Sequence, residues 1–271
     1  MKKFLAIIIT GVLAVSLAAC GGTTNPETKK IVIGTSAGAS SQILEFIKPQ
    51  LEARGIELEI KTFNDYVLPN KALDGGDIDA NLFQHIPFLN KAIAENGYDF
   101  SIASNVYVAP IGGYSKRITS LDQLPEGGLI ITSSSVADHG RILTLLDKEG
   151  VITLKDGVDP VNATLADIVD NPKNLQFKMD VDPAMTAQTY QYDEADLVFI
   201  NSGFATNAGL KPAEEAIILE GEDSAYINVV VTRTADAGKE EFKILDEVLH
   251  SAETQKYINE NFPGTIIPVN N

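Results

Sequence analysis

One phrase occurs twice in this chain and limits what it can fold into. Ile31-Val32-Ile33 leads through a Gly- and Ser-rich loop into a stretch whose Ile43, Leu44, Phe46, Ile47 and Leu51 recur at helical spacing until Gly55. Leu129-Ile130-Ile131 leads through Thr132-Ser133-Ser134-Ser135 into a second such stretch, with Ile142, Leu143, Leu145 and Leu146, ended by Gly150. A short apolar run fits a buried strand, and recurrence every three to four residues fits a helix with one apolar side. After the first copy, Ile56, Leu58 and Ile60 alternate with Glu57, Glu59 and Lys61, so strand, helix and strand follow in order. That is the βαβ unit of a parallel sheet. Two such beginnings in 271 residues predict two α/β lobes.

The remaining patterns fit this frame. Residues 107–114 read as a strand crossing to the second lobe, residues 120–125 as a short helix, and residues 175–179 and 197–201 as strands. The β-branched run 226–232 reads as a strand returning to the first lobe, and residues 239–262 as one last helix, with Phe242, Leu245, Val248, Leu249 and Ile258 in a stripe. The expected fold is therefore α/β with two lobes, 31–110 plus 226–271 and 111–225, joined by two crossing strands. Ligand space is expected between them at the carboxyl ends of the strands.

Residues 1–19 carry Lys2 and Lys3, an apolar run from 4 to 15, small residues before Cys20, and no acidic residue. This is the pattern of a secretory signal peptide, and the run is shorter than the ~20 residues of a spanning helix. Leu17-Ala18-Ala19-Cys20-Gly21 resembles the lipobox of bacterial lipoproteins, which makes Cys20 the expected lipidation site and new N-terminus. As the only cysteine it leaves no intramolecular disulfide. Residues 20–30 are polar and read as a flexible tether. Without Lys2 and Lys3 there remain 19 basic residues against 37 acidic. Such a charge repels nucleic acid and anionic head groups, so attachment to a membrane has to come from the lipid.

Gly34-Thr35-Ser36-Ala37-Gly38 fits G-x-S-x-G, the nucleophile elbow of a hydrolase. An elbow of that kind follows an upstream oxyanion loop, for which Ser36 leaves no room, and His85, His139 and His250 have no triad context. A Ser- and Gly-rich loop opening a helix also serves as pocket lining. Hydrolysis at Ser36 is therefore the alternative from another class. Three scattered histidines give no metal-ligand pair, and Tyr190 and Tyr192 as iron ligands or a purely structural surface lipoprotein are weaker rivals.

Longer motifs carry a family resemblance over residues 31–268. They are Asp65-Tyr66-Val67-Leu68-Pro69-Asn70, Gly76-Asp77-Ile78-Asp79-Ala80-Asn81-Leu82-Phe83-Gln84-His85-Ile86-Pro87-Phe88-Leu89, Gly140-Arg141, the stretch from Asp167 to Leu175, and Tyr226-Ile227-Asn228-Val229-Val230-Val231. The sequence resembles the methionine-binding lipoproteins of the MetQ/NlpA family. The resemblance implies a two-lobed, type II periplasmic-binding-protein fold, an extracytoplasmic lipid-anchored binding protein without enzymatic activity or cofactor, and an ABC permease with cytoplasmic ATPases as partner.

It also implies a site. Arg141, Asn201 and Asn228 would take the backbone of a free amino acid, and Tyr66, Phe83, His85 and Phe88 would form an aromatic wall. The chemistry is suitable: a guanidinium offers a fork of donors to a carboxylate, amides both donate and accept, and thioether sulfur packs well on ring edges. Arg141 lies near a predicted helix start, where a cation gains from a nearby anion, although a solvated surface position would explain it equally. Asn201 also suits a turn, whereas Asn228 within a strand needs a partner. Phe83, His85 and Phe88 are two and three residues apart, a spacing at which not all three point to one core, so ordinary core aromatics are the alternative.

Departures from the family cluster near the same places. Phe88 stands where a Tyr is usual, residues 133–139 replace a stretch of the Asn-Asp-Pro-Thr-Asn type, and Ser40-Ser41 and residues 201–204 also differ. A free amino acid is expected, methionine first, with another apolar amino acid or a short methionine-containing peptide as alternatives.

Overall fold

The apolar runs become strands covered on both faces. The structure is a computed structural model that describes residues 29–221, 224–263 and 265–269, so the leader and Cys20 lie outside the described residues. The chain begins with β1 (Lys29–Ser36), α1 (Ala39–Glu52), β2 (Ile56–Phe63), α2 (Leu68–Asp74), β3 (Ala80–His85), α3 (Ile86–Asn96) and β4 (Phe100–Val108). It continues with β5 (Ile111–Tyr114), β6 (Leu129–Ser133), α4 (Val136–Lys148), β7 (Thr153–Leu154), β8 (Ile168–Asp170), β9 (Gln176–Val181), α5 (Thr186–Gln191), β10 (Leu197–Asn201), α6 (Ser202–Asn207), α7 (Pro212–Glu215) and β11 (Ile218–Leu219). It ends with β12 (Ile227–Arg233), α8 (Glu240–Leu249), α9 (Ala252–Asn261) and β13 (Ile267–Pro268).

Two sheets result. The first has the order β13-β4-β12-β3-β1-β2 and the second β11-β5-β10-β6-β9, while β7 and β8 form a separate pair. β1 pairs in parallel with β2 and β3, and β6 with β9 and β10, as the repeated phrase predicts. Each sheet is covered on both faces. On β12, Val230 joins the cluster made with α1, α8 and α9, whereas Val229 and Val231 join the one made with α2 and α3. The second sheet packs α4 on one face, through Ile142, Leu143, Leu145 and Leu146, and Ala187 and Ala205 of α5 and α6 on the other. Among the described residues no cluster mixes residues from the two sheets, so each lobe buries its own apolar surface.

Three departures from the sequence pattern have a local reason. Residues 107–114 are not one crossing strand: β4 ends at Val108 in the first sheet and β5 starts at Ile111 in the second. Pro110 between them has no N–H for a ladder. The last helix is two, because the Ser251 side chain accepts from Thr254 N–H at 3.2 Å and starts α9 afresh. β1 begins at Lys29, before the apolar run, with Lys29 and Lys30 in register with Ile56 and Glu57.

Gly140 sets the place of α4. A Cβ there would lie 2.4 Å from the Val161 carbonyl oxygen and 2.5 Å from that of Pro160, both backbone atoms. Only glycine lets that segment lie against the helix that carries Asp138 and Arg141. Gly140→Ala is expected to destabilise the fold by about 2 kcal/mol, a fall of roughly 4–8 °C in melting temperature by calorimetry.

Candidate ligand-binding site

The wall begins on β3, whose six residues are all buried because both sheet faces are covered. His85 ends the strand and caps α3: its Nδ1 accepts the Phe88 N–H at 3.1 Å. The proton of the ring must therefore sit on Nε2, which leaves a neutral imidazole whose Nε2–H donates to Asp138 Oδ1 at 3.1 Å. Because strand passes to helix at this cap, Phe83, His85 and Phe88 converge after all. Phe88 lies 5.9 Å from Phe83 and 6.2 Å from His85 between ring centroids, and Tyr66 lies 6.1 Å from both phenylalanines. Spacing along a regular element does not apply across a cap. Behind the wall, Asn70, Asn81 and Gln84 hydrogen-bond to one another at 2.8–3.0 Å, all buried.

The opposite side comes from α4 and the end of β10. Asp138 and Arg141 are one helical turn apart and joined by Nη1 to Oδ1 at 3.2 Å. Asp138 Oδ2 accepts from the Asn201 amide at 3.1 Å. Arg141 Nη2 donates to the Ala109 carbonyl at 3.0 Å and to Glu220 Oε2, and Nε has no partner among the described residues. The Tyr226 ring lies 4.4 Å beneath the guanidinium. Burial works against the Asp138 charge, but the His85 hydrogen bond, the Arg141 cation and the Asn201 amide outweigh it and hold the carboxyl well below the usual range. Burial likewise opposes the Arg141 cation, and Glu220 with Asp138 more than offsets it.

All seven residues expected from sequence, Tyr66, Phe83, His85, Phe88, Arg141, Asn201 and Asn228, line one cavity between the sheets, with about 700 Å³ of empty space partly continuous with solvent. One expectation needs correcting. Either two-donor edge of a guanidinium uses Nη2, and both Nη2 hydrogens of Arg141 are engaged, so no open fork faces a carboxylate. Nor does the helix dipole single out Arg141, since α4 starts at Val136 and the residue lies beyond the first turn. Ser36 lines the same cavity, but its side chain contacts the Ser40 hydroxyl at 3.4 Å, and both nitrogens of His85 are committed. It has no base.

Residues 31–270 match the model of the NlpA lipoprotein family. The chain belongs to that family. The methionine-binding lipoprotein MetQ of Bacillus subtilis strain 168 is 39% identical over 273 residues, covering 99% of each chain. A nutrient binding protein from Burkholderia cenocepacia, solved bound to methionine, superposes with a TM-score of 0.83 at 36% identity, covering 89% of this chain and 100% of that one. An ABC transporter periplasmic substrate-binding protein from Coxiella burnetii gives 0.82 at 38% identity, covering 88% and 100%. This NlpA lipoprotein has the two-lobed fold of substrate-binding proteins and is not an enzyme.

Asp138, Glu220 and Tyr226 were not singled out as site residues from sequence. An Asp-x-x-Arg spacing on a predicted helix could have flagged Asp138. Glu220 meets Arg141 across 79 positions, and nothing local marks it. The depressed Asp138 carboxyl has a definite pH consequence. Its contribution to stability is full above the unfolded value of about 3.9 and is lost as pH falls toward the lower folded value. In urea titrations the stability advantage of the native chain over Asp138→Asn should shrink by about 1 kcal/mol between pH 6 and pH 3.

Proposed function

We propose that this NlpA lipoprotein is the extracytoplasmic substrate-binding component of an ABC importer and that it carries methionine as the free amino acid. One observation supports this most: a single cavity lined both by the rings of Tyr66, Phe83 and Phe88 and by the Asp138, Arg141, Asn201 and Asn228 cluster. The rings suit a thioether, and the cluster suits a zwitterion. In this reading Tyr66, Phe83 and Phe88 hold the side chain, His85 joins wall to cluster, and Asn201, Asn228 and the uncommitted N–H groups of Arg141 hold the backbone.

Cys20, lipidated after removal of residues 1–19, anchors the body to the membrane, and the tether leaves it free to meet a permease driven by cytoplasmic ATPases. Among the described residues no helix is long and apolar enough to cross a membrane. A second cavity shares Tyr66 and Phe88 with the first and extends along α2 and α3. It favours a short methionine-containing peptide as the second reading, since it lies beside the first space and shares two of its walls.

Isothermal titration of the full chain in detergent micelles, stripped of carried ligand, is expected to give one-to-one binding of L-methionine at roughly micromolar affinity or tighter. Absence of heat with L-methionine, together with binding of a methionyl dipeptide, would establish the second reading. Arg141→Ala should abolish binding of either ligand, because it also leaves Asp138 and Glu220 without their cation.

A further inference from the structure

The formal charge of the cluster is not balanced. Among the described residues, Asp138 and Arg141 are the only members of the cavity lining that carry full charge, since the His85 ring is neutral, and the other titratable side chains there, Tyr66 and Tyr107, are phenols. Behind the lining, Glu220 is bound to the same guanidinium and held in turn by Ile111 N–H at 3.2 Å and the Ser224 hydroxyl at 3.0 Å. One cation thus serves two carboxylates, and one negative charge is left over. Each carboxylate accepts from three donors, but Asp138, 1% exposed, is the one that lines the cavity, so an entering group meets the excess charge there.

Asp138 also has room for another donor. Oδ1 accepts from His85 and Arg141, but Oδ2 accepts only from Asn201 among the described residues, and a carboxylate oxygen has two lone pairs. Arg141 is in the reverse position: its Nη2, which any two-donor grip on a carboxylate requires, has no hydrogen to spare. A cation entering the cavity would meet an acceptor and an excess of negative charge, whereas an anion would meet a partly used guanidinium flanked by two carboxylates.

We propose that Asp138 is the specificity-determining residue of the cavity, the partner of the ligand's ammonium group, and that the site therefore requires an amine more strongly than a carboxylate. This rests on the cavity being an amino-acid site and adds which end of the amino acid is recognised. It places selection on α4, at a residue whose contacts with His85, Arg141 and Asn201 fix its orientation before ligand arrives.

The test divides the ligand. The full chain in micelles is titrated with L-methionine, with L-methioninol, which keeps the ammonium and lacks the carboxylate, and with 4-(methylthio)butanoate, which does the reverse. The amine half-ligand should bind about thirty-fold more tightly than the acid half-ligand, and Asp138→Asn should reduce that ratio to within about three-fold. Equal or tighter binding of the acid would overturn the proposal, as would an unchanged ratio in a variant whose melting shows it folded. The ratio in the native chain needs no variant, so a misfolded Asp138→Asn does not remove the test. If L-methionine itself fails to bind, the methionine reading fails separately, and leucinol against 4-methylpentanoate then supplies the ratio by which the Asp138 assignment stands or falls.

Discussion

A guanidinium buried to 5% exposure is tolerated only with acceptors around it, and where those acceptors come from decides much of this structure. Arg141 belongs to α4 in the second lobe, yet Nη2 reaches the Ala109 carbonyl in the first crossing and Glu220 at the start of the second. Glu220 returns to the first crossing through Ile111 N–H and to its own connection through Ser224. Both passages between the lobes are therefore fastened to one side chain that also faces the cavity. The cation that faces the cavity is thus also the residue to which both connections are bonded.

The lobes also touch across the cavity itself. His85, fixed by its capping role on α3, reaches Asp138 on α4, Tyr66 lies 5.0 Å from Phe204 of α6, and the Ser202 hydroxyl donates to the Thr265 carbonyl at 3.1 Å. Each contact pairs a residue already held within its own lobe with one from the other. The amide group of Asn70, Asn81 and Gln84 has a comparable role inside the first lobe, tying α2 to β3 beneath the wall with bonds that carry no formal charge.

Much of the fold was legible because it follows from local periodicity. The repeated strand, loop and helix phrase, the alternation at Ile56, Leu58 and Ile60, and the β-branched run before Arg233 all appear as the elements they suggest. What periodicity missed were interruptions: Pro110 within an apolar stretch, and Ser251 within an amphipathic one, where a single cap overrides a stripe that continues on both sides. The site divides similarly. Its seven residues could be named because the family resemblance implies them, six of them within its motifs, and the convergence of Phe83, His85 and Phe88 was hidden by a strand-to-helix change that spacing cannot register. Glu220 was invisible because its meaning lies wholly in a contact between distant segments. The state of Arg141 was hidden for the same reason, since the sequence shows a cation but not what already surrounds it.

The fastening of both crossings to Arg141 also constrains how such a protein can diverge. Retention of a cargo and the speed of letting it go are separate demands on an importer's carrier. They meet here in one guanidinium, so a substitution around Arg141, Asp138 or Glu220 alters the cavity and the fastening of both crossings together. Variation in cargo preference is free to accumulate along the aromatic wall, at Tyr66, Phe83 and Phe88, which pack on one another and, among the described residues, form no side-chain hydrogen bond to the crossings. Lineages descending from this architecture would therefore be expected to change what they carry before they change how quickly they release it.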